Sequence, residues 1–131
     1  YKFLKNLRKT EDVNKFFNLI NLEIINDIIK NKYDFLWING HNNFTNIIAV
    51  LTAKFVGTKL LMRADTQLNV EPLRIKKFIR KPVMKAFYKL FSGFLYIGTR
   101  NKEYYAYLGI PDNKLFFVPF TVDNDFFHTE N

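Results

Sequence analysis

Four short apolar runs, each closing in a cluster of polar or small residues, set the strongest limit on how this chain folds: DFLWI before NGHNN, LLM before RADT, FLYI before GTRN, and LFFV before PFTVDN. The runs are nearly continuous in apolar character rather than alternating, the pattern of parallel strands covered on both faces. Segments with helical spacing lie between them. Residues 43 to 56 carry Phe44, Ile47, Ile48, Leu51 and Phe55 three and four apart, which draws one apolar stripe on a helix that Gly57 would end. A later helix is expected from Thr99 to Leu108, with the Thr99 hydroxyl suited to capping its start and Gly109 and Pro111 closing it. Alternation of strand and helix predicts an α/β fold, a parallel sheet with helices on both faces and right-handed crossovers. Ligands of such sheets bind beyond the carboxyl ends of the strands, so the four polar clusters mark one working edge.

At 131 residues, 48% of them hydrophobic, the chain has the material for one core and one domain. It has no cysteine, which excludes a disulfide framework and thiolate metal sites and points to a reducing compartment. Its two histidines, His41 and His128, are too few for a histidine-built metal centre, and no metal is expected. No apolar stretch reaches the roughly 20 residues that cross a bilayer, and YKFLKNLRKT has no signal-peptide core.

The net charge of +8 is local. Between Pro72 and Lys102 lie nine basic residues and no acidic one, and the remaining eleven basic and twelve acidic residues sum to −1. In that stretch Ile75, Ile79, Val83, Phe87 and Phe91 recur at four-residue intervals, as do Lys77, Lys81, Lys85 and Lys89. This predicts a basic amphipathic helix, or two helices meeting near Pro82. Its lysines are read either as a solvated face over a core stripe or as a docking surface for anionic lipid, where each basic residue near the surface contributes about 1 kcal/mol. Nucleic-acid binding is disfavoured because the aromatics follow the core pattern.

The segment from Tyr33 to Phe127 resembles the second half of the N-terminal domain of a retaining, two-domain glycosyltransferase of the GT-B fold, family 4. The resemblance rests on YDFLWINGHNN, on GTKLLMRADTQ, and above all on FLYIGTRNKEYYAYLGIPDNKLFFVPFTVDNDFF, which is similar to enzymes of polysaccharide and lipopolysaccharide assembly. It implies that residues 1–122 form a partial N-terminal Rossmann-like domain lacking its first βαβ unit. Residues 123–131 would begin the interdomain crossover, with the donor-binding C-terminal domain absent. The implied activity is sugar transfer from a nucleotide-sugar donor to a saccharide or lipid-linked acceptor, this chain supplying the acceptor side and being inactive alone. No cofactor is implied, and the implied place is the cytoplasm, peripheral on the inner face of the membrane.

The strand-end clusters then supply the candidate site. Asn39, Gly40 and His41 follow the first strand; Gly40 lets backbone amides approach a ligand, and His41 would bond a sugar hydroxyl or arrange the reacting oxygen. Arg63, Asp65 and Thr66 follow the second. Arg63 offers a fork to phosphate, Asp65 accepts hydroxyl protons and is the candidate base, and an internal Arg63–Asp65 ion pair is the structural alternative. Gly98, Thr99 and Asn101 open a helix whose amides would cradle donor phosphate, or merely start an ordinary helix. Tyr104, Tyr105 and Tyr107 line an acceptor groove or pack. Asp123 would hold a hinge, with Phe126 and Phe127 in an interdomain seam.

Other classes fit less well. A Rossmann oxidoreductase needs G-x-G-x-x-G after its first strand, and a glycoside hydrolase needs two carboxylates flanking one bond. The remaining alternative is a non-catalytic flavodoxin-like binding module with a basic membrane-docking helix.

Overall fold

The structure is a computed structural model that describes residues 4–8, 15–66 and 74–121, without the side chains of residues 74–80. Asp123, Phe126, Phe127, His128, the boundary at residue 122, and the side chains of Ile75, Lys77 and Ile79 lie outside the described residues. In chain order the elements are α1 (Glu23–Asn31), β1 (Phe35–Asn39), α2 (Phe44–Phe55), β2 (Lys59–Arg63), α3 (Arg74–Tyr88), β3 (Gly93–Tyr96), α4 (Thr99–Tyr107), a short 3₁₀ turn (Asp112–Lys114), and β4 (Leu115–Phe117). All four apolar runs are strands. They form one sheet in the order β1-β2-β3-β4, every pair parallel, a Rossmann-like α/β arrangement.

The sheet register decides which residues share a face. Ile38 pairs with Met62, Met62 with Phe94, and Phe94 with Leu115, so these four stand side by side. With Leu60 they meet Val50 and Ala53 of α2, Met84 and Tyr88 of α3, Phe91 beyond it, and Tyr105 and Leu108 from α4 and its end, in one core. Each crossover steps to the neighbouring place in the same direction. Right-handed connections that keep stepping one way lay every helix on one face, and the helical core residues gather on this one. The opposite face carries Phe35, Trp37 and Phe116, which are 55%, 49% and 50% exposed. The expected helical cover on both faces is therefore met on one face among the described residues. Continuous apolar strands do not reveal this, because they fit a second layer whether or not the crossovers between these strands supply it.

Two helices present a different side to the core than their spacing suggested. In α2 the buried residues are Thr45, Ala49, Val50 and Ala53, while Leu51 and Phe55 of the expected stripe are 56% and 88% exposed. Small side chains let the helix lie close to the sheet, and a pattern weighted by side-chain size overlooks them. In α3 the chain runs through Pro82 as one helix. Its described buried residues are Met84 and Tyr88, with Phe87 half-buried, whereas Val83 is 59% exposed. A strict four-residue interval advances about 40° per step on a helix of 3.6 residues per turn. The expected line from Ile75 to Phe91 therefore winds away from any single face.

Ends follow local chemistry. Asn43 caps α2 by accepting a hydrogen bond from the Asn46 amide at 2.8 Å, and Gly57, at φ 83°, ends that helix in the left-handed region. Gly98, not the Thr99 side chain, occupies the cap of α4, which has no side-chain cap bond. The helix α1, whose apolar residues Ile24, Ile25 and Ile28 follow helical spacing, packs on α2 and was not foreseen. It closes at Lys32, which adopts φ 46° and donates its amide to Ile28 O at 3.2 Å.

Candidate functional site

Because the strands are parallel, their carboxyl ends share one edge, and a cleft of about 390 Å³ opens there beside β1 and β2. Trp37, Asn39, Gly40 and Asn42 line it from β1 and its loop, Arg63, Ala64 and Asp65 from β2, with Ile97 and Phe120 opposite. Four expected residues, Asn39, Gly40, Arg63 and Asp65, thus come together.

The walls are held by bonds that reach across the chain. The Gly40 amide donates to Arg63 O at 2.8 Å and carries the β1–β2 ladder into the loop. From the first turn of α2, the Asn46 side-chain amide donates to Asn39 O at 3.1 Å and Gly40 O at 3.0 Å. Gly40 takes φ 71° with no atom within 4 Å of where a Cβ would stand, so its φ requires glycine while the space beside it is open.

Arg63 is the charged centre of the cleft. Its guanidinium carbon lies 4.4 Å from the Phe120 ring centre and 5.7 Å from that of Trp37, so two aromatic groups flank it. Nη2 donates to Val118 O at 3.4 Å, and Nε is buried without an acceptor. The guanidinium engages this carbonyl and these rings; the internal ion pair to Asp65 is not formed. Asp65 is exposed at the cleft. The Trp37 indole donates to Asn39 Oδ1 at 3.0 Å, which fixes both side chains on the wall. A planar cation, a carboxylate, two amide side chains and two large rings can together recognise a ligand with hydroxyls, apolar faces and a negative group.

The other expected residues lie at the same edge but outside the cleft lining. His41 turns toward α3: its ring stands 6.0 Å from Phe87 and 5.9 Å from Tyr88, and Nδ1 lies 3.5 Å from the Tyr88 hydroxyl. Asn101 is buried, and its side chain is engaged by the chain itself. It accepts from the Ile97 amide at 3.2 Å and donates to Ala64 O at 2.8 Å and Thr66 O at 2.9 Å. It ties the end of β2 to the start of α4. Thr66 enters this tie through its carbonyl. Gly98 is extended at φ −176° with open space beside it, and Thr99 is exposed.

Tyr104 and Tyr105 are core residues, while Tyr107 is 46% exposed under the Lys81 ammonium, 3.8 Å from its ring centre. Burial pushes the Tyr105 phenol up to about 12 against the opposing pull of its bonds to Asn101 and Ala64 O. Lys81, Lys85 and Lys89 are all exposed along α3, and Lys85 lies against Gly109 at the carboxyl end of α4, where a cation meets the favourable pole of the helix. The fourth lysine of that series, Lys77, has its side chain outside the described residues.

Among the described residues no three histidine, aspartate or glutamate side chains gather as metal ligands, and no helix is long and apolar enough to cross a membrane. Trp37, Asn42, Ile97 and Phe120 are the cleft residues that sequence reasoning missed. Trp37 sat inside an apolar run and the exposed sheet face turns it into a wall, while Phe120 comes from the PFTVDN cluster beyond β4. Comparisons with family models, curated proteins and solved structures gave no match.

Proposed function

We propose that this chain supplies the acceptor side of a glycosyltransferase that moves a sugar from a nucleotide-sugar donor to a saccharide or lipid-linked acceptor. The observation that carries the reading is the cleft at the strand ends, in which Arg63 and Asp65 share a wall with Trp37, Asn39 and Asn42. A sugar ring has apolar C–H faces and a rim of hydroxyls. The Trp37 and Phe120 rings suit the faces, the amide groups and Asp65 suit the hydroxyls, and Arg63 suits a phosphate or other anion. In transfer the acceptor oxygen bonds to the anomeric carbon, the donor diphosphate leaves, and the hydroxyl proton is lost. Asp65 is the cleft carboxylate suited to receive that proton. His41 is occupied with Tyr88 and Phe87 and is the weaker candidate. The exposed lysines of α3 supply the membrane-facing part of the reading, since attraction to anionic headgroups would hold the protein near lipid-linked acceptors.

Trp37 is the sole tryptophan, so its emission reports on the cleft directly. Titration with oligosaccharides, sugar phosphates and nucleotide-sugars should shift that emission saturably for at least one class. Arg63→Ala should weaken anionic ligands by roughly tenfold or more, the scale of one charge-assisted contact, and Asp65→Asn should weaken neutral saccharides. No response to any of the three classes, or equal responses in both variants, would remove the cleft from sugar chemistry.

A further inference from the structure

The second face of the sheet carries exposed apolar side chains beyond those of the cleft, with which it shares Trp37 and Arg63. Along the strands it presents Phe35 and Trp37 from β1, Lys59, Leu61 and Arg63 from β2, and Phe116 from β4, while Leu95 of β3 on the same side is buried at 8% exposed. Phe116 folds over Gly93: a Cβ there would stand 3.0 Å from the Phe116 ring and 3.1 Å from Leu61. The glycine lets these two side chains close over the middle of the face and make it smooth. Parallel sheets are stable when both faces are covered by helices. Among the described residues, the helices of the crossovers linking the four strands all serve the first face.

The charges on this face specify the cover. Both of its charged side chains are cations, and the four strands contain no carboxylate. Lys59 rests 5.3 Å from the Phe35 ring centre and Arg63 lies against Trp37 and Phe120, so both lie flat on aromatic surface rather than reaching outward. A five-residue strand runs about 17 Å and four strands span about 14 Å between outer axes, whereas a helix is about 10 Å wide. One or two helices laid along the strands fill the face.

We propose that this face docks an amphipathic α-helix of a partner chain whose apolar stripe is flanked by carboxylates. The stripe covers Phe35, Leu61 and Phe116, and the flanking carboxylates meet Lys59 and Arg63. A lipid surface is the poorer occupant, because both cations of this face lie on its rings instead of reaching outward toward headgroups.

The probe is a tryptophan-free helical peptide of about 18 residues, long enough to cross the sheet, with a leucine stripe flanked by glutamates. Its control has lysines in their place. Titrated into the whole chain, the glutamate peptide should shift Trp37 emission saturably and bind roughly tenfold more tightly than the lysine peptide, the scale of two exposed ion pairs. Lys59→Glu should abolish or reverse the preference, and Phe116→Ser should weaken the glutamate peptide several-fold; both residues are exposed, so folding is preserved. Equal affinity for the two peptides, no saturable shift, or an unchanged preference in Lys59→Glu would overturn the proposal. Vesicles of anionic lipid shifting Trp37 while the glutamate peptide does not, or self-association abolished by Phe116→Ser and untouched by the peptide, would likewise overturn it. Phe35, Lys59 and Phe116 do not line the cleft, so sugar binding and helix docking can fail separately.

Discussion

Asn101 shows how one side chain organises the working edge without facing it. Its carbonyl accepts the Ile97 amide, and its two N–H groups go to Ala64 O and Thr66 O, all within a site that is 2% exposed. Removing it strands the Ile97 amide and Thr66 O and leaves Ala64 O with only the long Tyr105 bond, and an unpaired buried group costs about 1–3 kcal/mol. Asn101→Ala is expected to lower unfolding free energy by about 2–4 kcal/mol in urea titration, and to loosen Asp65, which lies between the two tied carbonyls. A loss below about 1 kcal/mol would mean that water replaces the tie. The sequence reading placed Asn101 at the edge through its backbone amide and said nothing of its side chain, whose partners the structure supplies. Its bonding groups lie 35 and 37 residues earlier in the chain, and no local pattern records a contact of that separation. Arg63 and Asp65 were legible for the opposite reason: their position at a strand end follows from the apolar run before them.

At the scale of elements, strands were easier to read than helix faces. A run such as FLYI has one local explanation in an α/β chain, and its end can be placed to about a residue. Which side of a helix is buried depends on what it meets, and small residues such as Ala49 and Ala53 give a weak signal while making the closest approach. The helix α3 offers a direct test, because the buried Met84 adjoins the exposed Val83. Met84→Ala should cost about 2–4 kcal/mol, the usual range for truncating a buried aliphatic chain. Val83→Ala should stay within about 0.5 kcal/mol, as surface substitutions do. Equal costs at the two positions in matched urea titrations would place the core stripe where the four-residue interval put it and refute the observed helix face.

For the whole molecule, a sheet whose helical cover among the described residues lies on one side concentrates stability in an aromatic core, where Tyr88, Phe91, Phe94 and Tyr105 meet with ring centres 4.9 to 6.1 Å apart. The parallel order was readable from alternation; the one-sided placing of the described helices was not, since it follows from the direction in which successive crossovers step. That concentration makes the fold sensitive to alkali at one point. Tyr105 is fully buried among these rings, and its phenol is pushed up from an ordinary 10.0 to about 12, first by desolvation. A raised acid holds its proton longer in the folded state than in the unfolded chain. Its stabilising contribution is therefore complete below about pH 10 and falls as pH rises through about 12, because only the unfolded chain gains from ionising in that window. Each pH unit inside it removes about 1.4 kcal/mol, so Tyr105 alone accounts for a loss of about 2–3 kcal/mol. The comparison that isolates Tyr105 is Tyr105→Phe. The hydroxyl bonds Asn101 and, at a long 3.5 Å, Ala64 O, so the variant should lose about 1 kcal/mol near neutrality. Above about pH 11 it should overtake the parent chain in urea titrations. Stability curves that stay parallel from pH 8 to 12 would show that the phenol ionises alike in both states, and that the core is open enough there to admit water.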